Sequence, residues 1–121
     1  MTENKNVKIY DLEDRTEEFA KRVRRFVRGL HRSISNIEDG KQVVRSSGSV
    51  GANYIEANEA LSKKDFKMRI KICRKEAKES RYWLRLIDTG GDQSKEKERN
   101  LLSQEAAELM KIFAAILLKS D

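Results

Sequence analysis

RSSGSVGANYIEAN, residues 45–58, carries two glycines three positions apart, with three serines and an arginine beside them. It reads either as a glycine-rich loop that cradles phosphate or as the middle of a helix, and the two readings lead to different folds. A P-loop wants a lysine and then Ser or Thr after its second glycine. Here Gly51 is followed by Ala52-Asn53-Tyr54. A GXXG nucleotide clamp needs strands around it, and the flanking sequence shows no strand pattern. Val43, Ser47, Val50, Tyr54, Ala57 and Leu61 instead recur at spacings of 4, 3, 4, 3 and 4, straight through the glycines. That period is helical. Each glycine costs a helix about 1 kcal/mol relative to alanine, so both must serve another purpose. With Ser46, Ser47, Ser49 and Ala52 they form a small-residue surface that a neighbouring helix can approach closely.

The remaining sequence agrees. Charged residues make up 38% of the 121-residue chain, against a usual share of about a quarter, as expected of long solvated helical faces. There is no proline, whereas a β-rich fold places proline and many glycines in its turns. Phe19, Val23, Phe26 and Leu30 mark one face of a first helix, with Asp11 or Asp14 as its cap. Phe66, Ile70, Cys73, Ala77, Ser80, Leu84 and Ile87 mark a third, capped by Ser62 or Asp65 and ended by Thr89-Gly90-Gly91-Asp92. Leu102, Ala106, Leu109, Phe113 and Ile116 mark a fourth. The expected helices cover about 12–31, 38–61, 63–89 and 94–119. Short connections make them an all-α, antiparallel up-down four-helix bundle in a single domain, 1–121.

Some apolar residues lie beside the core stripes. With Ile70 at heptad position a, Ile72 and Leu86 fall at c and Trp83 at g; Leu101, Met110, Ile112 and Leu117 lie outside the stripe of the fourth helix. Two readings stand: a broad core face, or burial against another subunit. Ile72, Trp83 and Leu86 are the subunit-interface candidates.

No catalytic signature emerges. The lone histidine, His31, has no serine or cysteine nucleophile placed beside it by sequence, and the lone cysteine, Cys73, excludes an internal disulfide and any multi-thiolate metal site. Glu56, Glu59, Glu76 and Glu79 sit on two helices, but carboxylate-metal bundles pair such glutamates with Glu-x-x-His motifs, which are missing. No catalytic residue, metal or cofactor is therefore expected. No apolar run approaches the roughly 18 residues of a membrane span, and residues 1–6 lack the apolar segment of a secretory leader. The expectation is a cytoplasmic protein without a membrane partner.

The net charge of +6 is uneven. Residues 1–60 hold 11 Lys+Arg against 10 Asp+Glu, while residues 61–121 hold 15 against 10. Lys67, Lys71, Arg74, Lys78, Arg81 and Arg85 form a stripe along the third helix, and Lys21, Arg25, Arg28 and Arg32 form a second on the first helix. Such stripes either track nucleic-acid phosphates or simply solvate a helix face.

Two blocks carry a family resemblance. One is Arg45–Asn58, in which Ser49, Asn53 and Glu56 match a Ser-x-x-x-Asn-x-x-Glu pattern. The other runs from Asp65-Phe66 through Lys75-Glu76-Ala77-Lys78-Glu79-Ser80-Arg81-Tyr82-Trp83-Leu84. In their order and spacing, from about residue 12 to 118, the chain resembles the 23S rRNA intervening-sequence proteins, a family of small bacterial four-helix bundles. A related branch, the accessory proteins of diversity-generating retroelements, is a basic pentameric barrel that works with a reverse transcriptase and nucleic acid. The resemblance implies a homopentamer, contact with RNA or DNA or with a partner protein, and an architectural role for Ser49, Asn53, Glu56, Glu76 and Glu79. It identifies no substrate.

Overall fold

The structure, a computed structural model, describes residues 11–120. The N-terminal stretch read above for the lack of a leader lies outside the described residues. Four helices follow one another: α1 (Leu12–Arg28), α2 (Ile34–Asn58), α3 (Lys63–Leu86) and α4 (Gln93–Lys119). Each packs on the next, and α1 closes the ring on α4 through the smallest of the four seams. Cross-helix bonds give the direction. Asn58 bonds Glu13 while Gly40 sits against Val27, and Arg69 bonds Asn53 while Asn36 bonds Asp88. Every neighbour is antiparallel, so the fold is an up-down four-helix bundle.

Local chemistry sets the ends. Asp11, Ser33, Ser62 and Asp92 cap the four helices, each side chain accepting from a backbone N–H three residues on. The Ser33 cap starts α2 four residues before the expected position 38. The Ile34-Ser35-Asn36 stretch reads as a connection in sequence, yet it forms the first turn. At the far end α2 stops at Asn58, so Leu61, expected on the core stripe, lies in the connection and is fully exposed. The third helix ends at Leu86, before the glycines; Gly90 and Gly91 take positive φ (67° and 78°) in the α3–α4 connection, where L side chains are strained. Arg99 then donates to the Ile87 carbonyl at 2.9 Å, satisfying an acceptor left open by the end of α3.

The core is the set of 4-3 stripes. Phe19, Val23, Val43, Val50, Ile70, Leu84, Leu102, Leu109 and Phe113 are buried, and each large side chain of this kind contributes about 1.5–3 kcal/mol over its exposed state. Met110, Ile112, Ile116, Leu117 and Trp83 are half-buried and pack against this core. Of these, Ile116 belongs to the core stripe itself, while Met110, Ile112, Leu117 and Trp83 lie beside the stripes with part of each side chain still accessible. Leu86 and Leu101 stay about half exposed, at 47% and 48%.

The glycines of the opening stretch lie inside α2, which runs through them unbroken. A Cβ on Gly51 would meet Thr16 Oγ1 at 2.9 Å, one on Gly40 would meet Val27 Cγ1 at 3.0 Å, and one on Gly48 would meet the Arg24 guanidinium at 3.2 Å. The helix that approaches these glycines is α1.

Candidate nucleic-acid interface

The α3 stripe is a row of six cations along one helix. Lys71, Arg74, Lys78, Arg81 and Arg85 are exposed, and Lys67 is half-buried. Among the described residues none of the five exposed cations makes an ion pair. Like charges three or four apart on a helix repel by about 0.2–0.5 kcal/mol per pair, so the row slightly destabilises α3 as it stands. Lys63 and Lys64, in the first turn, extend it and are also exposed. Cations there oppose the helix dipole, so the helix itself gains nothing from them. Sequence reading missed these two; the consecutive lysines after the Ser62 cap were the available signal. From Lys63 to Arg85 the row spans about 33 Å at 1.5 Å per residue.

The stripe borders a shallow groove of about 370 Å³ between α3 and α4, where Lys67, Lys71 and Arg74 face Ala114, Leu117 and Leu118. Leu118 is 80% exposed. Tyr82, the one aromatic on the outer face of α3, meets the edge of Trp83 with ring centroids 5.1 Å apart. Of the interface candidates, Ile72 and Trp83 are half-buried and Leu86 is exposed.

The α1 stripe differs. Lys21 pairs with Glu17 at 2.9 Å and Arg25 with Glu18 at 3.0 Å, whereas Arg28 and Arg32 have no ion-pair partner among the described residues. Elsewhere cations are committed to holding helices together. Arg15 grips both carboxylate oxygens of Glu105 (2.7 and 2.9 Å), and that bond raises the guanidinium pKa above its ordinary value. Arg22 reaches Glu98 at 3.5 Å. These two contacts tie α1 to α4.

The motif residues line the α2–α3 seam. Asn53 accepts from Arg69 at 3.0 Å while its amide nitrogen donates to the Ser49 carbonyl at 2.9 Å. Arg45 lies 3.3 Å from both Glu76 and Glu79. Ser46 and Ser80 share a buried hydroxyl–hydroxyl bond of 2.8 Å, and Ser80 also donates to the Glu76 carbonyl. Glu56, the remaining motif residue of α2, is exposed and makes no bond to α3 among the described residues. In the last turn of α2 the helical register gives the buried position to Ala57.

His31 is half-exposed with Nε2 3.9 Å from Asp88. Cys73 is fully buried in the core, where desolvation pushes its thiol up to about 12, so it is not the thiolate that nucleophilic or ligand chemistry requires. Among the described residues no group of three or more His, Cys, Asp or Glu is placed to hold a metal ion, and no helix is long and apolar enough to cross a membrane.

Fold and surface together define a basic antiparallel four-helix bundle with a polar motif in one helix seam and, on another face, a cation row of which five exposed members make no ion pair among the described residues. Residues 8–115 match the 23S rRNA-intervening sequence protein family, and the chain belongs to that family. It is similar, at 31% identity and a TM-score of 0.71, to the crystal structure of a protein of unknown function from the S23 ribosomal protein family of Bacteroides thetaiotaomicron; the match covers 87% of this chain and 96% of that one. No curated protein matches the sequence.

Proposed function

We propose that this protein is a non-catalytic homo-oligomer that contacts RNA or DNA through the α3 cation row. The observation that carries the reading is the contrast in pairing: Arg15, Arg22, Arg25 and Arg45 are matched to carboxylates, while Lys71, Arg74, Lys78, Arg81 and Arg85 stand exposed and unmatched. A polyanion relieves the repulsion within such a row and releases counterions as it binds. The reading extends to a homopentamer, which the family resemblance supports and which would repeat the row around the assembly. Leu86, 47% exposed on the last turn of α3, is the apolar residue offered for a subunit contact, with Ile72 and Trp83 beside the core stripe. An aliphatic row with one partly engaged tyrosine offers little to stack bases on, so binding should be largely independent of base sequence.

The test is a salt-dependent titration of labelled single- and double-stranded RNA and DNA. Wild type should bind at low salt and weaken steeply as salt rises. Replacing Lys71, Lys78 and Arg85 together by glutamine should lower both the affinity and the slope of log K against log salt, by about 0.7–0.9 for each phosphate that is no longer neutralised, with the helical content unchanged. No binding by the wild type at low salt removes the nucleic-acid reading. The oligomer is checked separately by light scattering. Leu86→Asp should shift the assembly toward the 14.0 kDa chain without unfolding it, and a wild-type monomer at micromolar concentration ends that part of the proposal.

A further inference from the structure

A second, separate feature lies where α1 turns into α2. A groove of about 550 Å³ opens there, its floor formed by the half-buried aliphatic side chains of Val27, Leu30, Ile37 and Val44. Its rim holds Arg28, Arg32, Lys41 and His31, and no carboxylate lines it. Lys41 reaches Glu38 at 3.7 Å, and His31 lies 3.9 Å from Asp88, a residue just beyond α3. From α4, Lys95 approaches the Gly29 end of the turn and is matched to Asp92 at 3.3 Å. Asp39, half-buried beside Gly40, is the remaining nearby acid. The two arginines are thus the unmatched charges of the site.

The groove is built rather than incidental. Asn36 is buried, and its side chain ties the turn to the end of α3: Nδ2 donates to the His31 and Asp88 carbonyls at 3.2 and 2.9 Å, while Oδ1 accepts from the Asp88 N–H at 3.0 Å. Gly40, with Val27 pressed against the place where a side chain would be, brings α1 close and keeps the floor low. One turn before Ile37, Ile34 continues the apolar surface outward at 86% exposure. A pre-formed site loses little ordering entropy on binding.

We infer that this groove docks an acidic, leucine-bearing segment of a partner protein, its carboxylates on Arg28 and Arg32 and its apolar side chains on the Val27–Leu30–Ile37–Val44 floor. The charge complementarity selects the occupant. Guanidinium groups meet carboxylates in a bidentate fork, and an aliphatic floor takes aliphatic side chains. Nucleic acid fits less well: no Phe, Tyr or Trp lines the groove and its one ring, His31, sits on the rim beside Asp88, and a small concavity does not follow a phosphate backbone. The inference is independent of the α3 proposal, since it uses a different face and different residues.

The experiment is fluorescence anisotropy on the full chain with three designed helical peptides: one with Glu flanking a Leu face, one with those Leu replaced by Ser, and one with those Glu replaced by Lys. The Glu/Leu peptide should bind. The Ser and Lys versions should each bind about tenfold more weakly or worse, because each removes one half of the match. In the R28E/R32E variant, whose altered side chains are exposed and make no ion pair among the described residues, the Glu/Leu peptide should lose about tenfold and the Lys/Leu peptide should gain, with the helical content checked by circular dichroism. The K71Q/K78Q/R85Q variant should bind the Glu/Leu peptide like wild type, which separates this site from the α3 row. The inference is overturned if the Ser peptide binds as well as the Leu peptide, or if R28E/R32E leaves peptide binding unchanged. It is equally overturned if R28E/R32E abolishes RNA binding or self-association in a protein that ignores the peptides, since the groove would then belong to another partner.

Discussion

The helix α2 meets its two neighbours by different physics. Toward α1 it succeeds by lacking side chains: Gly51 leaves room for the buried Thr16, whose hydroxyl donates to the Leu12 carbonyl at 2.8 Å, and Gly40 leaves room for Val27. Toward α3 it uses polar groups that find partners, with the Ser46–Ser80 bond buried and the Asn53–Arg69 and Arg45–Glu76 contacts nearer the surface. Both seams are encoded in α2, chiefly in residues 45–58 with Gly40 upstream, by alternating which face carries nothing and which carries an oxygen. A seam built on missing volume should tolerate no added atom; a seam built on hydrogen bonds should tolerate shape changes and fail when one partner is removed.

Gly51→Leu should break the first seam most severely. Its side chain must enter space held by Thr16, an overpacking cost of about 1–3 kcal/mol, read as a lower denaturation midpoint at fixed protein concentration. A variant as stable as wild type would show that α1 does not sit where described. Ser80→Ala tests the second seam. It leaves the buried Ser46 hydroxyl with only the Val43 carbonyl at 3.5 Å, for a cost of about 1 kcal/mol. Combining it with Ser46→Ala should then cost less than the sum of the two single changes, because both act on one bond. Gly48→Ala sharpens the comparison with the opposite sign. The atom its Cβ would crowd belongs to the Arg24 guanidinium, the far end of an exposed, flexible side chain, so that group can yield. The helix then gains about 0.5 kcal/mol from the reduced flexibility of the unfolded chain. If Gly48→Ala destabilises as Gly51→Leu does, the two glycines are equivalent and the contrast within the seam disappears.

Much of the candidate site was legible before any coordinates. The positions of Lys71, Arg74, Lys78, Arg81 and Arg85 beside the α3 core stripe follow from helical register alone, since a known period fixes which residues share a face. Whether those cations are matched does not follow. Arg15 and Glu105 stand ninety positions apart in sequence and meet side by side, while Arg28 and Arg32 continue the same stripe as Lys21 and Arg25 and find no acid. The groove over Val27 and Ile37 was also invisible, because its two walls belong to different helices. Glu56 matches the motif spacing, and the structure shows it facing out, with Ala57 taking the buried position of that turn.

Sequence alone determined that there are four helices, narrowed two of their caps to Asp11 or Asp14 and Ser62 or Asp65, and marked the core stripes, because hydrogen bonding and hydrophobic period within a helix are local. Only the tertiary structure decided that Leu61 is exposed, that Gly51 lies against Thr16 and Gly48 under Arg24, and which charges are left over. Those outcomes depend on the distance between helices and on which side chains the opposite helix brings to the same level. The short α1, 17 residues against 27 in α4, shows why: its length is set by local signals, but what it covers is set by where the bundle places it.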